Sequence, residues 1–107
     1  MPLVSIIIPC YNVAAFMKKC LDTVCAQTLR DIEIICINDG STDGTPDILR
    51  EYEAADERIR IIDQSNAGVA AARNAGLDAA CGKYIGFADP DDYVSPVMFQ
   101  RLYLAAE

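Results

Sequence analysis

Two nearly unbroken apolar runs, LVSIII at residues 3–8 and IEIICI at residues 32–37, constrain the fold more than anything else in the chain. Neither shows the strict polar–apolar alternation of a half-buried strand. Each is therefore expected to be covered on both faces, as in a parallel sheet sandwiched between helices. The intervening segments fit that frame. From Val13 onward, Phe16, Met17, Cys20, Leu21, Val24 and Cys25 recur at helical spacing, with Lys18, Lys19 and Asp22 on the opposite side. Pro9 is expected to end the first strand, because it cannot donate to a ladder, and Asn12 to N-cap the first helix. After the second run, residues 38–44 are dense in turn formers. Thr45-Pro46-Asp47 then reads as N-cap, N1 proline and first-turn acid of a helix that turns Ile48, Leu49, Tyr52 and Ala55 inward. Residues 58–63 alternate, which predicts a half-exposed edge strand. Residues 69–80 form an Ala-rich helical stretch interrupted by Gly76. A mid-helix glycine costs about 1 kcal/mol relative to Ala, so Gly76 is expected to permit close packing on the sheet. Gly82 suits the C′ position. Residues 84–88 predict a fourth buried strand, and Ser95-Pro96 opens a last helix carrying Met98, Phe99, Leu102 and Tyr103. The order βαβαβαβα predicts an α/β fold: an open, mostly parallel sheet with helices on both faces, in one domain over residues 1–107.

The loops that follow the first, second and fourth strands are rich in Asp, Asn, Ser, Tyr and Gly. All three fall at the carboxyl ends of parallel strands, where open α/β sheets bind ligands. The most pointed feature is Asp89-Pro90-Asp91-Asp92. Crowding carboxylates at one strand end is costly, since like charges raise each other's pKa. A hard divalent cation bound through oxygen would offset that cost. The plainer alternative is an acidic turn set by Pro90.

A net charge of −7 argues against a nucleic-acid binder, which needs a basic face. The absence of histidine removes Ser-His-Asp and Cys-His nucleophiles, His-ligated zinc and a His general base. Cys10, Cys20, Cys25, Cys36 and Cys81 are odd in number and form no C-x-x-C pair. Most are expected to be buried, reduced thiols, which suits a reducing compartment. Neither a dinucleotide G-x-G-x-x-G after the first strand nor a P-loop is present. No signal peptide or membrane-spanning run is expected, leaving a cytoplasmic chain with at most peripheral contact to the inner face of a membrane.

Taken singly, the remaining polar residues have ordinary explanations. Tyr11 could stack on a flat ring, or simply follow a strand stop. Asp39 could accept from a nucleobase or ribose, or make an Asx-turn. Arg73 could snorkel, or meet an acid or phosphate. Together they carry a resemblance. The segments Ser5-Ile-Ile-Ile-Pro-Cys-Tyr-Asn12, Asn38-Asp-Gly-Ser-Thr-Asp-Gly-Thr45, Asn66-Ala-Gly-Val-Ala-Ala-Ala-Arg-Asn-Ala-Gly76 and Gly82-Lys-Tyr-Ile-Gly-Phe-Ala-Asp-Pro-Asp-Asp92 resemble, in this order, family 2 glycosyltransferases of the GT-A fold.

The resemblance implies the donor-binding part of an enzyme that transfers sugar from a nucleotide-diphospho-sugar, a UDP-sugar for preference, to a hydroxyl of a glycan or lipid-linked acceptor. It implies substrate contacts from Pro9, Tyr11, Asn12, Asp39, Arg73 and Asp89. It also implies Mg²⁺ or Mn²⁺ held by Asp91 of the D-x-D element Asp89-Pro90-Asp91 and by Asp92 directly after it, and mostly inverting chemistry with a carboxylate base further along than this sequence reaches. No catalytic base is therefore assigned, the acceptor-binding half is expected to lie outside this sequence, and the uncovered sheet edge is expected to favour a homo-oligomer. Asn38 departs from the aspartate frequent in the family. A sugar-phosphate nucleotidyltransferase would need a basic, Gly-rich first loop, which is missing. A flavodoxin-type phospho-acceptor domain would need a Lys on a fifth strand. A non-catalytic nucleotide-sugar-binding or scaffolding module stays open.

Overall fold

The computed structural model describes residues 2–26 and 30–90. They form β1 (Val4–Cys10), α1 (Ala14–Cys25), β2 (Ile32–Asp39), α2 (Thr45–Ala55), β3 (Ile59–Gln64), α3 (Val69–Ala79) and β4 (Tyr84–Phe87). The strands make one all-parallel sheet in the order β3-β2-β1-β4. Side chains alternate across it. Ile6, Ile8, Ile34 and Cys36 meet Met17, Leu21 and Val24 of α1 and Leu49 of α2 on one face. Ile7, Ile35 and Ile37 meet Ala72 of α3 on the other. The expected α/β sandwich is thus present, with β3 at an edge. The last helix, expected from Ser95-Pro96 onward, lies outside the described residues.

Gly76 has the packing role expected of it. A Cβ there would sit 2.5 Å from Ile7 Cγ2 and 3.0 Å from Ile37 Cδ1, so α3 lies closer to the sheet than any side chain would allow. Gly82 does not serve as a helix cap. α3 ends at Ala79, and a Cβ on Gly82 would meet the Ser5 backbone nitrogen at 2.5 Å. Its value is close approach to β1.

Three further expectations are corrected. Pro9 does not end β1, which runs on to Cys10. The carbonyls of Leu3 and Ile7 accept from the amides of Tyr84 and Ala88. By strand alternation the Pro9 nitrogen faces that same side, beyond the end of β4, so no ladder bond is lost there. Asn12 does not cap α1. It takes φ +51, a left-handed conformation Asn tolerates, and α1 starts two residues later. β4, expected to be covered on both faces, leaves Ile85 and Phe87 exposed. Their register partners are Ser5 and Ile7, so they share the α3 face, but α3 packs on β1 and β2.

One buried polar residue inside the second apolar run organises the end of the sheet opposite the ligand-type loops. Glu33 Oε2 accepts from Ser5 Oγ and from the Cys81 amide, both at 2.6 Å, and Oε1 accepts from Arg60 Nη1 at 2.8 Å. The Ser5 hydroxyl accepts in turn from the Gly82 amide at 2.7 Å. Burial alone would push the Glu33 carboxyl up, but these hydrogen bonds outweigh it and hold it below its ordinary value.

Arg58 ties α1 and α2 to the start of β3. It grips both oxygens of Asp56 at 3.0 and 2.8 Å and donates to the carbonyls of Cys25 and Arg30. This guanidinium, acting against burial, holds Asp56 down at about 2 from 3.8. A carboxylate depressed in the folded state adds stability above its unfolded value and loses it as pH falls through the folded one. The window is therefore about pH 4 to 2, and the amount on the order of 2 kcal/mol. Denaturant titrations across that window should show a steeper acid loss for the native protein than for Asp56→Asn. Identical acid limbs would overturn the assignment.

Candidate functional site

The site lies where the carboxyl ends of β1, β2 and β4 meet the amino end of α3. This is the switch point of the sheet, since the chain adds strands on one side of β1 and then crosses to the other. A cleft of about 330 Å³ is lined by Pro9, Tyr11, Phe16, Asp39, Asn66, Val69 and Asp89, among others. That size is in the range of small-molecule sites. Of the residues singled out in the sequence, Pro9, Tyr11, Asp39 and Asp89 therefore come together on its walls. Tyr11 and Phe16, both lining residues, are half exposed.

Asn12 and Arg73 act at one remove. Asn12 Oδ1 accepts from the Thr42 amide at 2.7 Å, and its own amide donates to Ser41 Oγ at 3.1 Å. The same two loops are joined again where Val13 N–H donates to Thr45 Oγ1 and Ala14 N–H to Asp43 Oδ2. The amino end of α1 is thus capped by the loop after β2, not by its own preceding residue, and this seam fixes where Tyr11 stands. Hydrogen bonds from Thr45 and Ala14, against a smaller effect of burial, hold Asp43 below its ordinary value. Arg73 projects from α3 with its guanidinium 5.8 Å from the centre of the Phe87 ring and 3.6 Å from Asp89 Oδ1. Its Nε is buried and has no hydrogen-bond partner among the described residues.

Asp39 is the most heavily engaged residue of the cleft. Its carboxylate accepts from Gln64 Nε2 and the Ala67 amide, both at 2.9 Å to Oδ1, and from the Gly68 amide at 3.0 Å to Oδ2. The Gln64 bond, with the two amides, overcomes burial and keeps Asp39 ionised below its ordinary range. Gly40, at φ +73, makes the approach feasible, because a Cβ there would lie 2.7 Å from the Asn66 backbone nitrogen. Asn38 also finds its reason. Its side-chain amide donates to Asp63 Oδ1 at 3.0 Å, while its Oδ1 accepts from the Ser41 amide. An aspartate at this position would set two carboxylates against each other.

Phe16, Asn66, Gly68 and Val69 line the cleft without having been singled out. Phe16 carried only a helical-period signal, and the other three sat unremarked inside the third motif. Asp91 and Asp92, the expected metal ligands, lie outside the described residues. Among the described residues no group of three or more Cys, Asp or Glu side chains gathers to hold a metal ion. Among the described residues, Asp39 and Asp89 bring carboxylate oxygens to the cleft, a donor type that fits Mg²⁺ or Mn²⁺. The cysteines are free thiols. Cys10, Cys20 and Cys36 are buried, whereas burial and the neighbouring Asp56 push Cys25 up to about 11. No helix among the described residues is long and apolar enough to cross a membrane.

A family model described as glycosyl transferase family 2 matches residues 5–107. An uncharacterised glycosyltransferase of Bacillus subtilis (strain 168), EpsJ, is 56% identical over 106 residues, which are 99% of this chain and 31% of that protein. Hyaluronan synthase of Pasteurella multocida is 44% identical over 95 residues, 89% of this chain and 10% of that protein. Among solved structures, S. aureus TarS 1–349 in complex with UDP-GlcNAc superposes with a TM-score of 0.84 at 28% identity, covering 97% of this chain and 30% of that one. The mannosyltransferase PcManGT from Pyrobaculum calidifontis, in complex with GDP-Man and Mn²⁺, gives 0.78 at 28% identity, covering 84% and 28%. The chain spans about a third or less of the length of these relatives.

Proposed function

The chain belongs to glycosyl transferase family 2, and from that premise we propose that its cleft is the donor site of an inverting, metal-dependent transferase, which moves sugar from a nucleotide-diphospho-sugar to an acceptor hydroxyl. The observation that carries the reading is the meeting of Asp39, Tyr11 and Asp89 around one cleft at the sheet's switch point. TarS and PcManGT, which share this fold, hold UDP-GlcNAc and GDP-Man in the named complexes.

Each residue has a task its geometry suits. Pro9 and Tyr11 offer a flat apolar wall for the base. Asp39, kept ionised, accepts hydrogen from the base or ribose. Asp89, also lining the cleft, accepts from the ribose and orients the Arg73 guanidinium, which can donate to a phosphate oxygen. Asp91 and Asp92 are the residues proposed to hold Mg²⁺ or Mn²⁺. Such an ion, when bound, would neutralise the charge that develops on the departing diphosphate. It also answers how a chain of net charge −7 takes an anionic ligand. No residue of this sequence is assigned as the base that deprotonates the acceptor.

Calorimetric titration with UDP, with and without Mn²⁺, tests the reading. Native protein should bind UDP with Mn²⁺ at least about tenfold more tightly than without it, and Asp91→Ala should abolish that difference. A folded native protein that takes up no UDP under either condition would refute the donor-site reading.

A further inference from the structure

We propose that Gln64 is a positioning residue for base recognition: its side-chain amide occupies Asp39 Oδ1 and leaves Oδ2 as the carboxylate oxygen presented to a ring N–H of the nucleobase. The proposal rests on the donor-site reading above and assigns a role to a residue outside the four motifs.

The argument is one of lone pairs. Gln64 closes β3 and is the register partner of Asp39 at the end of β2. An ionised carboxylate accepts only, with about two hydrogen-bond positions on each oxygen. Gln64 Nε2 and the Ala67 amide, both at 2.9 Å, fill Oδ1. On Oδ2 the Gly68 amide is at 3.0 Å, but the other neighbour, Asn66 Nδ2, is at 3.5 Å. Asn66 makes its better bond, at 3.1 Å, to the Asp39 carbonyl. One acceptor position on Oδ2 is therefore held only by a contact at the limit of hydrogen bonding.

The two oxygens also differ in where their partners lie. Asn66 and Gly68, which serve Oδ2, line the cleft together with Asp39 itself. Gln64 and Ala67, which serve Oδ1, are not among the lining residues. The open position thus belongs to the oxygen on the cleft side. Without Gln64 an acceptor position on Oδ1 falls vacant as well, and the carboxylate can tilt about its terminal torsion, which is broad for Asp, within the hold of the Ala67 and Gly68 amides, so the ring N–H is no longer directed to Oδ2. An acceptor fixed in this way matches bases with a ring N–H, such as the imide of uracil, and meets the lone pair of a cytosine ring nitrogen with repulsion.

The experiment compares UDP with its N3-methyl analogue, which keeps the ring, ribose and diphosphate but has no ring N–H. Titrations with Mn²⁺ on native protein should favour UDP by about tenfold or more, the worth of one hydrogen bond to a charged acceptor. In Gln64→Met, similar in size but lacking the donor, that preference should fall below about threefold. In Gln64→Lys, which returns a donor toward Oδ1, it should reappear. A purely structural Gln64 would weaken both ligands equally and leave the ratio intact, and that result overturns the proposal. If Gln64→Met does not fold, Gln64→Lys still decides, because a folded Lys variant without the preference contradicts the positioning role. Native protein that binds both ligands equally overturns the proposal while sparing the donor site. Native protein that binds neither overturns both.

Discussion

Replacing Glu33 by Ala will lower the stability of the folded unit by about 3 kcal/mol, the lower end for breaking a buried ionic pair, because Arg60 is half exposed. The loss has identifiable parts. The Ser5 hydroxyl and the Cys81 amide, both at 2.6 Å from Oε2, lose their shared acceptor. Among the described residues, Arg60 is left with its bond to the Ala79 carbonyl. A cavity opens between the sheet and the turn after α3. For a unit of this size the change corresponds to a fall in melting temperature on the order of 15 °C. Glu33→Gln, which keeps an acceptor oxygen and the volume, should cost markedly less. Thermal melts of the two variants settle the point, and equal losses would show that the network needs the charged carboxylate and gains nothing from the retained shape and acceptor oxygen.

Asp39→Ala carries the second large effect and strikes stability and binding together. The amides of Ala67 and Gly68 lose their acceptor at the entrance to α3, which should cost about 2 kcal/mol, as for a lost helix cap with an unsatisfied donor. Affinity for a nucleoside diphosphate should fall by about thirtyfold or more, through the lost base contact and a displaced β3–α3 loop. The pH dependence has a definite sign. Because Asp39 is depressed in the folded state, its contribution is complete above its unfolded value and is lost as pH falls through the folded one. Calorimetry alongside melting curves is the check. Unchanged nucleotide affinity in a folded Asp39→Ala protein would remove Asp39 from the site.

The layered α/β order was readable because its signals are redundant. Residues 3–8 and 32–37 have too few polar positions to face water, and Met17, Cys20, Leu21 and Val24 of α1 and Leu49 of α2 are buried at helical spacing, although Phe16 and Ala55 of the same apolar patterns are exposed. What escaped reading depends on partners distant in sequence. Glu33 sits within an apolar run, and nothing local says that Ser5, Arg60 and the Cys81 amide converge on it. Asn12 has the composition of a cap, but its side-chain oxygen is taken by the Thr42 amide, and the neighbouring Asp43 caps α1 instead. Isolated composition did not separate those outcomes. For the site, Pro9, Tyr11, Asp39 and Asp89 were recognisable as polar or rigid residues at strand ends. Gln64 and Asn66 look like ordinary loop polarity until Asp39 is seen between them.

Pro9 has a counterpart at the other end of the described chain. The β1–β4 ladder stops where the Ala88 amide meets the Ile7 carbonyl. The next rung of a parallel ladder would need a hydrogen from residue 9 to the Ala88 carbonyl and one from residue 90 to the Pro9 carbonyl. Both residues are proline, so neither hydrogen exists. The stop is written twice, once on each strand, and no adjustment of side chains can erase it. β4 cannot lengthen by two residues and carry Asp89 into the sheet. The pair works as a ruler, setting where the chain must leave the sheet and so delivering Asp89 to the cleft.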